Sequence, residues 1–176
     1  MFRAVGAIEP GLIRVDADET TYNLHIILRF ELERALLRGD LAVADLPGAW
    51  NERSAALLGL TPKNDAEGVL QDVHWAGGDF GYFPTYALGN MHAACLYAAA
   101  RRDLPDFDTA LAAGHCAGLT DWLHRHVYSK GRSLSPRELV ATATGQTVSA
   151  APLIAHLRAK ATTIYGVKIP SATGRG

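Results

Sequence analysis

Two cysteines among 176 residues, Cys95 and Cys116, are too few for a disulfide framework or a multi-cysteine zinc site. They read as reduced thiols, which places the chain in the cytoplasm. No stretch approaches the about 18 uninterrupted apolar residues that would suggest a membrane span. The first residues, Met1 to Gly6, lack the basic-then-apolar order of a signal peptide. Charge of one sign is missing too. The 17 basic residues face 18 acidic ones, for a net charge of -1, so there is no electrostatic footprint for nucleic acid or for an acidic membrane surface. Glycine (17) and proline (8) are too scarce for a disordered or collagen-like chain.

The familiar catalytic punctuation is also absent. There is no H-E-x-x-H, no G-x-S-x-G, no G-x-x-x-x-G-K and no G-x-G-x-x-G following a strand. Seven histidines invite a metal reading, but His124 and His126 are two apart and diverge on a helix, and His115 and Cys116 are adjacent. No metal site built from this chain alone is expected.

What is present is a chain 48% hydrophobic, enough for a sizeable core, with a helical period throughout. Asp16 and Glu19, three apart, resemble a capping box. Leu24, Ile27, Leu28, Leu32, Ala35 and Leu36 then form an apolar stripe, with Arg29 and Glu33 read as an i,i+4 pair on the wetter side and Gly39 as the stop. A second helix is expected from Asp45-Leu46-Pro47 to Gly59. A third opens at Phe83-Pro84 and is so uniformly small and apolar over 86–100 that it reads as central and packed on several sides. Further helices are expected over 106–113, around Trp122, after Ser135-Pro136-Arg137-Glu138, and after Ser149. The expected fold is mostly α, about seven helices, forming one helical domain over 1–166 with a flexible tail at 167–176.

The exception to this helical grammar is an irregular loop or short strand around 68–81. Gln71, Asp72, His74, Tyr82 and Tyr86 lie there among Gly77, Gly78 and Gly81. Glycine lets backbone approach a ligand, histidine titrates near neutrality, and a tyrosine hydroxyl can donate to a developing oxyanion. Arg14, ahead of Asp16-Ala17-Asp18-Glu19, could clamp a carboxylate. On spacing alone it reads as a solvated residue near a helix start.

Two segments carry more. Ile13-Arg14-Val15-Asp16-Ala17-Asp18 resembles the signature (I/V)-R-x-x-A-D, and Gly68-Val69-Leu70-Gln71-Asp72-Val73-His74-Trp75 resembles G-x-x-Q-D-x-H-W, both of the carboxypeptidase Taq family. Thr21 to Glu31 and Gly81 to Asn90 are similar to that family as well, and the resemblance runs from about Phe2 to Gly166. It implies the C-terminal third of a longer, mostly helical, homodimeric zincin-like enzyme that removes C-terminal amino acids from peptides with zinc or cobalt. The family's metal ligands, two histidines of H-E-x-x-H and a glutamate of H-E-S, have no counterpart here. By resemblance, Arg14 helps bind the substrate's terminal carboxylate, Gln71, Asp72 and His74 line the groove, and Tyr82 supports the oxyanion. The implied partners are an upstream catalytic portion or a second copy, and a peptide substrate. Alone, the chain is expected to be inactive. The alternative is a non-catalytic helical interaction module derived from the same scaffold.

Overall fold

The structure is a computed structural model that describes residues 2–166; the stretch read as a flexible tail, 167–176, lies outside them. Among the described residues, eight α-helices follow one another: α1 (Phe2–Val5), α2 (Tyr22–Arg38), α3 (Leu46–Leu58), α4 (Pro84–Asp103), α5 (Phe107–Ala112), α6 (Ala117–His126), α7 (Pro136–Thr144) and α8 (Ala151–Tyr165). Short 3₁₀ turns sit at Arg14–Asp16, Val43–Asp45 and Tyr128–Lys130. Among the described residues there is no strand, so 68–81 is the ordered loop of the two forms expected.

The described residues group into two compact units, 2–88 with 157–166, and Gly89–His156. In the first, α2 packs on α3. Leu28 and Leu32 of α2 meet Leu46 and Trp50 of α3, with Val69 and Trp75 of the loop against them. Both helices end where the sequence says they should, at Gly39 and Gly59, whose φ values of 77° and 72° are left-handed and need glycine. The second unit has its own core of Ala99, Ala100, Phe107, Trp122 and Ala143. Its clearest local signal is also realised. The Ser135 side chain accepts from the Glu138 N–H while Glu138 reaches back to the Ser135 N–H, with Pro136 in the first turn.

Several expectations are corrected. Asp16 and Glu19 form no capping box. Asp18 does the work instead, accepting from the Thr20 and Thr21 N–H groups at 2.8 and 3.0 Å and from the Thr21 hydroxyl at 2.6 Å, so α2 starts at Tyr22. These hydrogen bonds favour the ionised form and outweigh the effect of burial, holding the Asp18 carboxyl below its ordinary value. Arg29 and Glu33 are not on a wet face. They are 0% and 2% exposed, while Ile27, assigned to the core stripe, is 40% exposed. The third helix is not buried all round. Only Cys95, Ala99 and Ala100 of α4 are buried, and Leu88 and Tyr97 remain open, because α4 turns a single narrow face to the second core. Both cysteines are free; Cys95 is buried, and Cys116 is exposed at the start of α6.

Candidate functional site

The loop between α3 and α4 is tied down by its own backbone and by Gln71. The Gly77 N–H donates to the Val73 carbonyl at 2.9 Å, the Asp79 N–H to His74 at 2.8 Å, and Gly78 turns the chain with φ 85°. Gly68 sits in a tight place, where a Cβ would lie 3.3 Å from the Pro62 side chain. The Gln71 amide nitrogen donates to Glu67 O at 2.9 Å and to Leu12 O at 3.1 Å, and its oxygen accepts the Arg14 backbone N–H at 2.9 Å. One glutamine therefore splices the segment holding Arg14 to the loop holding Asp72.

The side chains then close a charge cluster. Arg14 donates from Nε and Nη2 to Asp72 Oδ1, at 3.0 and 2.7 Å, and from Nη1 to the Tyr22 hydroxyl at 3.2 Å. Arg29 donates from Nε to Asp72 Oδ2 at 2.6 Å, from Nη2 to Gln71 Oε1 at 2.8 Å, and from Nη1 to the His25 carbonyl at 2.9 Å. Each carboxylate oxygen of Asp72 thus holds one guanidinium. Burial opposes the Asp72 charge, but the Arg14 hydrogen bonds and the Arg29 charge outweigh it and keep the carboxyl below its ordinary value. Arg29 is pushed down to about 10 by burial and remains charged at neutral pH. For Arg14, burial is outweighed by Asp72, which raises its value. His25, at 1% exposure, is driven down to about 4 by burial and by the nearby Arg29 charge, so it stays neutral. The two guanidinium groups and one carboxylate leave a surplus of one positive charge.

Beside this cluster lies an aromatic shelf. His74 packs on Phe83 with ring centroids 4.5 Å apart and stacks on Tyr82 at 5.6 Å, and its Nε2 lies 3.3 Å from the Tyr86 hydroxyl. Tyr86 sits edge-on to both Tyr82 and Tyr22, and Arg14 lies over its ring at 5.3 Å. Burial raises the Tyr86 phenol, which remains an O–H donor at neutral pH. The outer lip is open, with Tyr82 49%, Phe80 44% and Val73 79% exposed. An anionic group against the cationic cluster and an apolar group on the shelf would both find partners here.

Arg14, Gln71 and Asp72 are therefore joined directly, and His74 and Tyr82 flank them. Arg14 is not solvated, as spacing alone suggested; it is 8% exposed. Sequence reasoning missed Arg29, Tyr22, His25 and Glu33, which accepts the Gly81 N–H. The missed signal was positional. Residues 25, 28, 29, 32 and 36 lie on one helical stripe, and Arg29 stands at its centre, flanked by Leu28 and Leu32. Among the described residues, no group of three or more His, Cys, Asp or Glu side chains could hold a metal ion. Both Asp72 oxygens are taken by arginines, and His74 Nδ1 stands 3.8 Å from Oδ1. These residues do not fit a resident metal.

The helical scaffold is that of the metallocarboxypeptidases. The M32 carboxypeptidase of Deinococcus radiodurans R1 superposes with a TM-score of 0.90 at 46% identity, over 93% of this chain and 33% of that one. The carboxypeptidase Taq (M32) metallopeptidase profile matches residues 1–161, and the chain belongs to this family. It is 49% identical to thermostable carboxypeptidase 1 of Thermus thermophilus and 47% identical to carboxypeptidase 1 of Bacillus subtilis, each over 163 residues. Those matches cover 93% of this chain and 32% of each relative, so the chain spans about a third of their length.

Proposed function

We propose that this chain is the C-terminal, substrate-cradling part of a cytoplasmic, metal-dependent carboxypeptidase that removes C-terminal amino acids from peptides. Arg14 receives the terminal carboxylate. Gln71 and Asp72 hold Arg14 in place, and His74, Tyr82 and Tyr86 offer a surface and O–H donors to the terminal residue. The metal, zinc or cobalt, and the base that activates water belong to an upstream portion, without which the chain is inactive. The complete enzyme pairs as a homodimer.

The observation that carries this reading is the direct union of the two signature segments. Arg14 and Asp72, 58 positions apart, meet at 2.7 Å in a cluster with surplus positive charge beside an open aromatic shelf. Buried charges are costly to retain, which favours a binding role for the cluster over a helical interaction module with no chemistry. The test is complementation. The chain is mixed with the separately produced N-terminal two thirds of the Bacillus subtilis relative and zinc or cobalt, and release of the C-terminal residue from a blocked dipeptide is followed. Chelator-sensitive release by the mixture, and by neither part alone, is expected. A mixture that forms a complex yet never cleaves would overturn the reading.

A further inference from the structure

We propose that Arg29 is a positioning residue that keeps Arg14 electrostatically available to an anionic ligand. The proposal rests on the reading of Arg14 as the carboxylate-binding residue. Arg29 itself cannot touch a ligand, since it is 0% exposed and sealed under Trp50 and Phe83, with its guanidinium carbon 4.6 and 5.5 Å from their ring centroids. All its polar contacts point inward, to Asp72 Oδ2, Gln71 Oε1 and His25 O.

The reason for such a residue lies in the charge count. Arg14 has one carboxylate partner, Asp72, at 2.7 Å. A pair that close is locally neutral, and a neutral pair holds a carboxylate ligand poorly. The second guanidinium, on the opposite oxygen of the same carboxylate, draws on the same negative charge. The trio is left with one positive charge, and Arg14 is its only guanidinium not fully enclosed. Arg29 also holds Gln71 Oε1, the atom that accepts the Arg14 backbone N–H, so it fixes both the charge and the position of Arg14. A guanidinium suits this task better than an ammonium because its planar fork reaches three acceptors at once.

The full chain can be tested with N-acetyl-L-phenylalanine and, as control, its C-terminal amide, by following the Arg14 side-chain and Tyr86 ring resonances. The wild type is expected to bind the acid in preference to the amide. Arg29→Met is expected to weaken acid binding about tenfold or more, the size of a lost charge-assisted contact, while Arg29→Lys, which keeps the charge, retains most of it. The double variant Arg29→Met with Asp72→Asn returns the surplus to one positive charge and is expected to regain acid binding. A purely structural role for Arg29 gives no such rescue, and its absence in a folded double variant overturns the proposal. So does unchanged binding in folded Arg29→Met. If Arg29→Met does not fold, the Lys and double variants decide on the same criterion. If the wild type shows no preference for acid over amide, the Arg14 reading itself fails, and Arg14→Met will then match the wild type.

Discussion

The first unit buries Arg14, His25, Arg29 and Glu33 and nearly encloses Asp72, whereas the second builds its core from Phe107, Trp122, Ala99, Ala100 and Ala143 and leaves its charges at the rim. Asp103, for instance, accepts the Trp122 indole N–H at 3.0 Å, yet its side chain is 33% exposed and its cation partner Arg102 is 55% exposed. The difference extends to unsatisfied groups. His25 Nε2, Glu33 Oε2, His74 Nδ1 and Trp75 Nε1 are buried without a hydrogen-bond partner, and all four belong to the first unit. Unpaired buried polar atoms cost stability. They are kept in the unit that holds both signature segments, and the second unit reads as a scaffold that has avoided that cost.

The largest effect is expected at Asp72. Replacing it with Ala strands two buried guanidinium groups and is expected to lower stability by about 3–5 kcal/mol, the range for breaking a buried ion pair. Chemical denaturation checks this, and a loss below 1 kcal/mol would class the cluster with ordinary surface pairs.

The second effect is pH dependence. His25 titrates near its ordinary value when unfolded but at about 4 when folded. Between those values the unfolded chain binds the extra proton and the folded chain does not, so stability is full above the unfolded value and falls as the pH drops towards 4. Over that window the loss is expected to be about 3 kcal/mol. Below the ordinary carboxylate value, Asp72 adds to it, because its folded value is depressed and its share is lost as it protonates. Unfolding midpoints from pH 7 to pH 4 should show the slope in the wild type and a flatter profile in His25→Gln.

In the second unit the effects are local and smaller. Ser135→Ala removes one half of the α7 capping box and is expected to cost about 1 kcal/mol, measured by thermal unfolding at neutral pH. Smaller still is the Arg101–Asp108 pair, at 2.5 Å but with side chains 58% and 55% exposed. Asp108→Ala should change stability by no more than about 0.5 kcal/mol. An effect as large as that of Asp72→Ala would erase the distinction between the units.

Legibility in the sequence divides by reach along the chain. Local rules sufficed for helix ends in both units. The Ser135 box and the glycine stops at Gly39 and Gly59 depend on neighbours within a turn, and a single sequence carries them. The family signatures likewise single out Arg14, Gln71, Asp72 and His74 together. Burial of charge was not legible. Arg29 and Glu33 have the spacing of an exposed helical pair, yet their partners, Asp72 and the Gly81 N–H, are 43 and 48 positions away. Nothing within a helical turn reports that. α4 misled in the opposite direction, because small apolar residues over 86–100 resemble a helix enclosed on all sides, while packing uses only one face.

The central claim is that the Arg14 cluster serves a peptide's terminal carboxylate. Its most direct measurement is kcat/KM for a blocked dipeptide in the complementation mixture, comparing wild-type chain with Arg14→Met at equal complex formation by sedimentation. Arg14→Met is expected to lose at least about tenfold, the size of one charge-assisted contact to the substrate, with the complex intact. An Arg14→Met chain that assembles and cleaves as fast as the wild type would contradict it.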